Sequence, residues 1–125
     1  MVRFMKMCAR EALAVCLESG SKLVPIFGLK QANQNPSQYA EELFEQVLEH
    51  FTFPKTLTTV LQDWRKGRRS EVQEINGFVV SEGNRLGIPT PANAKALDIA
   101  LRIESGELSP STQNRSIILH GFELR

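Results

Sequence analysis

The sequence predicts an all-α helical bundle, and three observations carry that prediction. Apolar residues recur at helical spacing in five separate stretches, glycine or proline stands where one stretch gives way to the next, and no run alternates apolar and polar residues as a half-buried strand does. No segment of fixed period repeats, so a repeat architecture is not expected. The chain has 125 residues, 42% of them hydrophobic and 23% charged, an ordinary composition for one folded domain with a core of its own.

Phe4, Cys8, Ala12 and Val15 fall on one helical face, and Gly20 is placed to end a first helix from about Arg3 to Ser19. The following SKLVPIFGLKQANQ combines Pro25, Gly28 and a short apolar patch, which suits an ordered loop packed on the core. Asn35 before Pro36 is a helix start, with Gln38 able to reach back to the cap and Tyr39, Leu43, Val47 and Leu48 as the apolar stripe. Pro54 interrupts. Leu57, Val60, Leu61 and Trp64 mark a third face ended by Gly67.

From Ser70 the pattern resumes with Val72, Ile75, Val79 and Leu86 up to Gly87, the longest helix expected. Asn76-Gly77 is ordinarily a turn signal, yet the apolar spacing runs through it. A glycine inside a helix costs about 1 kcal/mol against alanine, so close approach of another helix is expected at Gly77. Thr90 as N-cap and Pro91 at the first helical position then open a last helix carrying Ala94, Leu97 and Leu101, closed by Gly106. Residues 107–125 hold turn residues and an isolated patch at Ile117, Ile118 and Leu119, and are expected to be a C-terminal tail to a domain over 1–106.

Composition and spacing exclude several functions. The formal charge of +1 provides no global field for nucleic acid or an anionic membrane. There is no membrane-spanning apolar run, and Lys6, Arg10 and Glu11 break up what would be the apolar centre of a signal peptide, so the cytoplasm is the expected compartment. Cys8 and Cys16 would stand roughly 12 Å apart along a helix, too far for a disulfide, and are expected to be buried thiols. His50 and His120 show no metal-ligand spacing. Among basic residues only RKGRR, 65–69, is dense; with no interleaved aromatics it reads as a solvated helix end. Glu71 reads as a carboxylate favoured by the dipole in a helix's first turn, and Thr58 and Thr59 as helix-start hydroxyls. No GxGxxG, P-loop or GxSxG occurs.

One stretch carries more. TTVLQDWRKGRRSEVQEINGFVVSEGNRLGIPTPAN, residues 58–93, resembles the C-terminal domain of the ketopantoate reductase (2-dehydropantoate 2-reductase) family, whose signature runs S-S-M-x-Q-D, G-R-x-T-E, I-N-G and G-x-x-x-P-x-N. Gln62-Asp63, Gly67-Arg68, Ser70-Glu71, Ile75-Asn76-Gly77 and Pro91-Ala92-Asn93 carry the match in order and spacing, and CAREALAVCLESG and LDIALRIESGEL look like the family's flanking helices. The resemblance implies a bundle like the C-terminal domain of 6-phosphogluconate dehydrogenase. It also implies an oxidoreductase of pantothenate biosynthesis that reduces a 2-oxo acid, 2-dehydropantoate, with NADPH.

Matched position by position, Glu71 corresponds to the family's glutamate that contacts cofactor and substrate. Thr59 occupies the second serine of S-S-M, where a hydroxyl helps hold the substrate carboxylate. Val60 replaces the methionine, and Thr56 stands where the family has an asparagine. The resemblance further implies that NADP is carried by an N-terminal Rossmann domain missing from this chain, and that the general-acid lysine lies on a helix before the first one here. No catalytic residue, metal site, nucleic acid or membrane is therefore expected for the chain itself. The alternative is a stand-alone, non-catalytic module derived from that domain, interacting through its helical surface as a homodimer.

Overall fold

The computed structural model describes residues 1–29, 35–53 and 55–122. Loop positions 30–34, the expected breaker Pro54 and the end of the expected tail, 123–125, lie outside the described residues. Among the described residues there are six α-helices, one 3-10 turn and no strand. They are α1 (Val2–Glu18), α2 (Pro36–Phe51), α3 (Thr59–Arg65), α4 (Val72–Leu86), α5 (Pro91–Glu104), the turn Thr112–Asn114, and α6 (Arg115–Leu119).

Local chemistry accounts for most of the boundaries. The Asn35 side chain accepts from the Gln38 amide at 3.2 Å and donates to the Gln38 side chain at 3.2 Å, the reciprocal cap that the sequence suggests. α4 ends where Gly87 takes a φ of +72°, with the Ile88 amide donating to the Gly83 carbonyl at 2.8 Å. This is the left-handed Schellman ending that glycine adopts without a Cβ clash.

α4 and α5 pack on one another, α1 lies against both, and α2 is carried on α1. Phe4 and Val15 from α1, Val72 from α4, and Ile99, Ala100 and Ile103 from α5 are buried together with Ala92 and Tyr39. Lys6 pairs with Glu45 at 2.9 Å and Arg10 with Glu41 along the α1–α2 contact; exposed pairs of this kind add little stability.

Several expectations are corrected. α4 has 15 residues against 17 in α1, so it is not the longest helix, and it begins at Val72 because Ser70 is held outside it by hydrogen bonds to Glu104. Ile75 is exposed; the buried line of α4 runs through Val72 and Gly83. On α5 the buried line is Ala92, Ile99, Ala100 and Ile103, whereas Leu101 is exposed and Ala94 and Leu97 are half-buried. That helix is apolar around most of its circumference, so spacing alone allows more than one face, and packing against both α1 and α4 selects among them. Thr90 occupies the N-cap position without a side-chain cap bond. The close approach is at Gly83, where a Cβ would lie 2.7 Å from Thr90 Cγ2 and 2.9 Å from the Ile88 carbonyl oxygen; at Gly77 the nearest atoms, the Leu97 methyls, stand at 3.7 Å. The expected tail folds into the 3-10 turn and α6, and Phe122 sets its ring edge-on to Phe4 at 5.3 Å. Cys8 and Cys16 are free but half-buried rather than buried.

Candidate functional site

Thr59 and Glu71 meet where α3 gives way to α4. Thr59 Oγ1 donates to Glu71 Oε1 at 2.9 Å, and both residues are exposed. Helix capping explains why these two side chains are free to do so. Thr58 takes the N-cap position of α3, its hydroxyl accepting from the Leu61 amide at 3.2 Å. Thr59 is the first helical residue and has no capping duty. Glu71 occupies the N-cap position of α4, one residue before the first turn where the sequence places it, and its carbonyl accepts from the Ile75 amide at 3.0 Å. Its carboxylate makes no cap bond. Helix-start hydrogen bonding therefore describes Thr58, and describes neither Thr59 nor the Glu71 carboxylate.

The connection between the two helices is fixed on its outer side by charge. Arg68 donates its amide to the Asp63 carbonyl at 2.9 Å and its guanidinium to Asp63 Oδ1 at 2.6 Å, while Gly67 turns the chain with a φ of +66°. Arg69 pairs with Glu74 at 2.5 Å. Two of the four basic residues of RKGRR are thus engaged by neighbouring carboxylates. Gln62 donates to the Leu57 carbonyl at 2.9 Å and steadies the approach to α3.

On the inner side a single carboxylate oxygen gathers three donors. Glu104 Oε1, at the last residue of α5, accepts from the Ser70 amide at 2.9 Å, the Ser70 hydroxyl at 2.7 Å and Trp64 Nε1 at 3.2 Å. Burial acts to raise the Glu104 carboxyl. The hydrogen bonds from Ser70, Trp64 and Gln73 outweigh burial and hold it below the usual glutamate range. The chain's one tryptophan and the buried Ser70 are both accounted for by this contact.

The remaining motif residues bind helices together away from the exposed pair. Asn76 Nδ2 donates to Asn93 Oδ1 at 2.9 Å. Asn93 is only 2% exposed, and its own Nδ2 donates to Glu11 Oε2 at 2.8 Å and to the Cys8 carbonyl at 3.0 Å. Glu11, projecting from α1, also accepts from the Ala92 and Asn93 amides at 2.8 and 2.9 Å, and so supplies the cap that Thr90 does not. Burial and the nearby Glu11 push the Cys8 thiol up to about 11, which keeps it protonated and unreactive at neutral pH.

Three of these residues were not singled out in the sequence: Ser70 as an anchor, Glu104 and Glu11. Glu104 leaves no signal of its own, because α1 also ends on a glutamate, Glu18, and that one is exposed, so a carboxylate at a helix end does not by itself mark an anchor. An apolar cleft of about 690 Å³ opens near these elements, lined in part by Thr58, Leu61, Trp64, Val72, Ile103 and Ile118. Among the described residues no three of His, Cys, Asp and Glu group as a metal site, and no helix is long and apolar enough to cross a membrane.

Comparison with known proteins agrees with the motif. The family model for the ketopantoate reductase PanE/ApbA C terminal matches residues 1–104. A 2-dehydropantoate 2-reductase from Archaeoglobus fulgidus is 39% identical over 49 residues, which cover 39% of this chain and 17% of that protein. No solved structure matches.

Proposed function

Because the chain belongs to the ketopantoate reductase C-terminal family, we propose that it serves as the substrate-side domain of an NADP-dependent 2-oxo acid reductase, the conversion of 2-dehydropantoate to pantoate in pantothenate biosynthesis. The observation that carries this reading is the hydrogen bond between Thr59 and Glu71. It sets a hydroxyl donor and a carboxylate acceptor side by side on the surface, and neither is consumed by the helix start beside it.

Hydroxyl and carboxylate suit opposite ends of a small hydroxy or oxo acid. The Thr59 hydroxyl can turn from Glu71 toward a substrate carboxylate, and the Glu71 carboxylate can accept from a hydroxyl of substrate or cofactor. NADPH supplies the hydride when bound. The described residues do not fit that group by themselves, because they include neither a strand nor a glycine-rich turn facing a helix start, the features that cradle a dinucleotide pyrophosphate. This chain is therefore assigned the holding and orienting of the 2-oxo acid. Hydride delivery and protonation of the developing alkoxide are assigned to residues outside it. A cytoplasmic setting goes with this assignment.

The test is titration of 2-dehydropantoate into the isotopically labelled chain, followed by NMR. Shifts at Thr59, Ser70 and Glu71 are expected, and Thr59→Val or Glu71→Gln should weaken binding by roughly 10-fold, the order of one charge-assisted hydrogen bond. Shifts confined to other surfaces, or none at millimolar ligand, would reject the assignment.

The second reading is a non-catalytic module that self-associates, favoured by Ile75 at 54% and Phe78 at 63% exposure, three residues apart on one side of α4. Sedimentation velocity over a wide concentration range separates the two. A dimer lost on Phe78→Ser supports the module, and a strict monomer counts against it.

A further inference from the structure

We infer that Glu104 is a positioning residue for the Thr59–Glu71 pair, acting through Ser70 and Trp64. Thr59 opens α3 and Trp64 lies near its end, while Ser70 immediately precedes Glu71. The three bonds to Glu104 Oε1 therefore tie to one atom both the helix that carries Thr59 and the residue that precedes Glu71. Neither Thr59 nor Glu71 is hydrogen-bonded to Glu104 in this arrangement; the carboxylate acts at one remove on both.

Two observations argue that the connection needs such an anchor. α3 has seven residues, too few to hold a helical conformation unaided. The outer contacts of the turn, the exposed Arg68 with the half-buried Asp63 and Arg69 with Glu74, are open to water on at least one side and are weak there. The contact with Glu104 is partly buried, and it accepts a backbone amide, a hydroxyl and an indole N–H at once, so displacement of any one member disturbs the others. The carboxylate is also held ionised by the same donors, which makes it the stronger form of acceptor across the neutral range.

For its bearing on function this inference rests on the reading of Thr59 and Glu71 as the substrate-holding pair; for its geometry it does not. The experiment uses the full 125-residue chain with threonine methyls labelled for NMR. In the unsubstituted protein the Thr59 hydroxyl donates to the Glu71 carboxylate, so Glu71→Gln should move the Thr59 methyl resonance, and the size of that movement reads the coupling of the pair. Glu104→Ala is expected to reduce the movement by at least about half while the helical circular dichroism is kept, since hydrogen-bonded networks fail together. Glu104→Gln retains an acceptor oxygen at the same reach and should restore most of it.

An undiminished movement of the Thr59 methyl on Glu71→Gln in a folded Glu104→Ala protein would overturn the inference. Should that variant not fold, Ser70→Ala and Trp64→Phe each delete one donor and are read in the same way, with no change in either overturning it. The 2-dehydropantoate titration is independent of this result. If that ligand leaves Thr59 unmoved in the unsubstituted chain while Glu104→Ala still uncouples the pair, the substrate reading falls and the positioning role stands.

Discussion

At the scale of single residues, two glycines of α4 show how identity and environment separate. Gly77 drew attention because it sits beside Asn76 inside a helix, whereas Gly83 has no such flag. The structure reverses their standing. A methyl at Gly77 would meet the Leu97 methyls at 3.7 Å, an ordinary contact, whereas one at Gly83 would meet the Thr90 methyl at 2.7 Å and a carbonyl oxygen at 2.9 Å. Gly77→Ala should be neutral or stabilising by up to about 1 kcal/mol through helix propensity. Gly83→Ala should destabilise by about 1–3 kcal/mol, because the connection to α5 must shift to admit the methyl. Urea unfolding of both variants checks this, and an equal effect at the two positions would refute it. Nothing in the sequence around Gly83 announces the contact, since it is made by the chain doubling back through Ile88 and Thr90. Thr59 and Glu71 were legible only through motif resemblance. What the structure adds is that Thr58 carries the cap, which leaves its neighbour free.

At the scale of elements, most helix boundaries follow from local chemistry, whereas the start of α4, set by the bonds from Ser70 to Glu104, and the orientations of the helices do not. Asn35-Pro36, Gly87 and Thr90-Pro91 mark boundaries by rules that act within four or five residues, and each boundary falls where those rules put it. Which face of α5 turns inward is decided by α1 and α4 together, and the sequence of α5 offers apolar residues on several sides. The start of α5 shows the same division. Proline fixes the first turn locally, but the orphan amides of Ala92 and Asn93 are satisfied by Glu11, more than eighty positions earlier. Glu11→Ala should leave those buried donors unpaired together with one arm of the Asn93 side chain, and should cost about 1–3 kcal/mol. Glu11→Gln keeps one acceptor and should cost less. The check is the chemical unfolding midpoint of each variant, with a loss under about 0.5 kcal/mol for Glu11→Ala placing the cap among unimportant surface contacts.

At the scale of the whole molecule, the ties between distant segments pass through a few carboxylates, and this gives stability a defined response to acid. Glu104 joins the end of α5 to α3 and to the start of α4, and its pKa is lowered in the folded state. A glutamate in the unfolded chain titrates near 4.3. The folded form thus releases its proton more readily than the unfolded form does, so the contribution is fully present above that value and is lost as pH falls through the lowered one. Glu41 beside Arg10 and Glu82 beside Arg85 are lowered as well and act with the same sign. A falling stability in acid therefore cannot by itself identify Glu104. Comparison with Glu104→Gln isolates it, because the other two carboxylates are common to both proteins and cancel in the difference. The unsubstituted chain should be the more stable at neutral pH, and its advantage should shrink as the pH is taken below the ordinary glutamate range. Urea midpoints measured for both proteins from neutral pH into acid provide the check. An advantage that stays constant with pH would mean that Gln and the ionised Glu hold Ser70 and Trp64 equally well, and that the charge on Glu104 adds nothing to the joining of α3, α4 and α5.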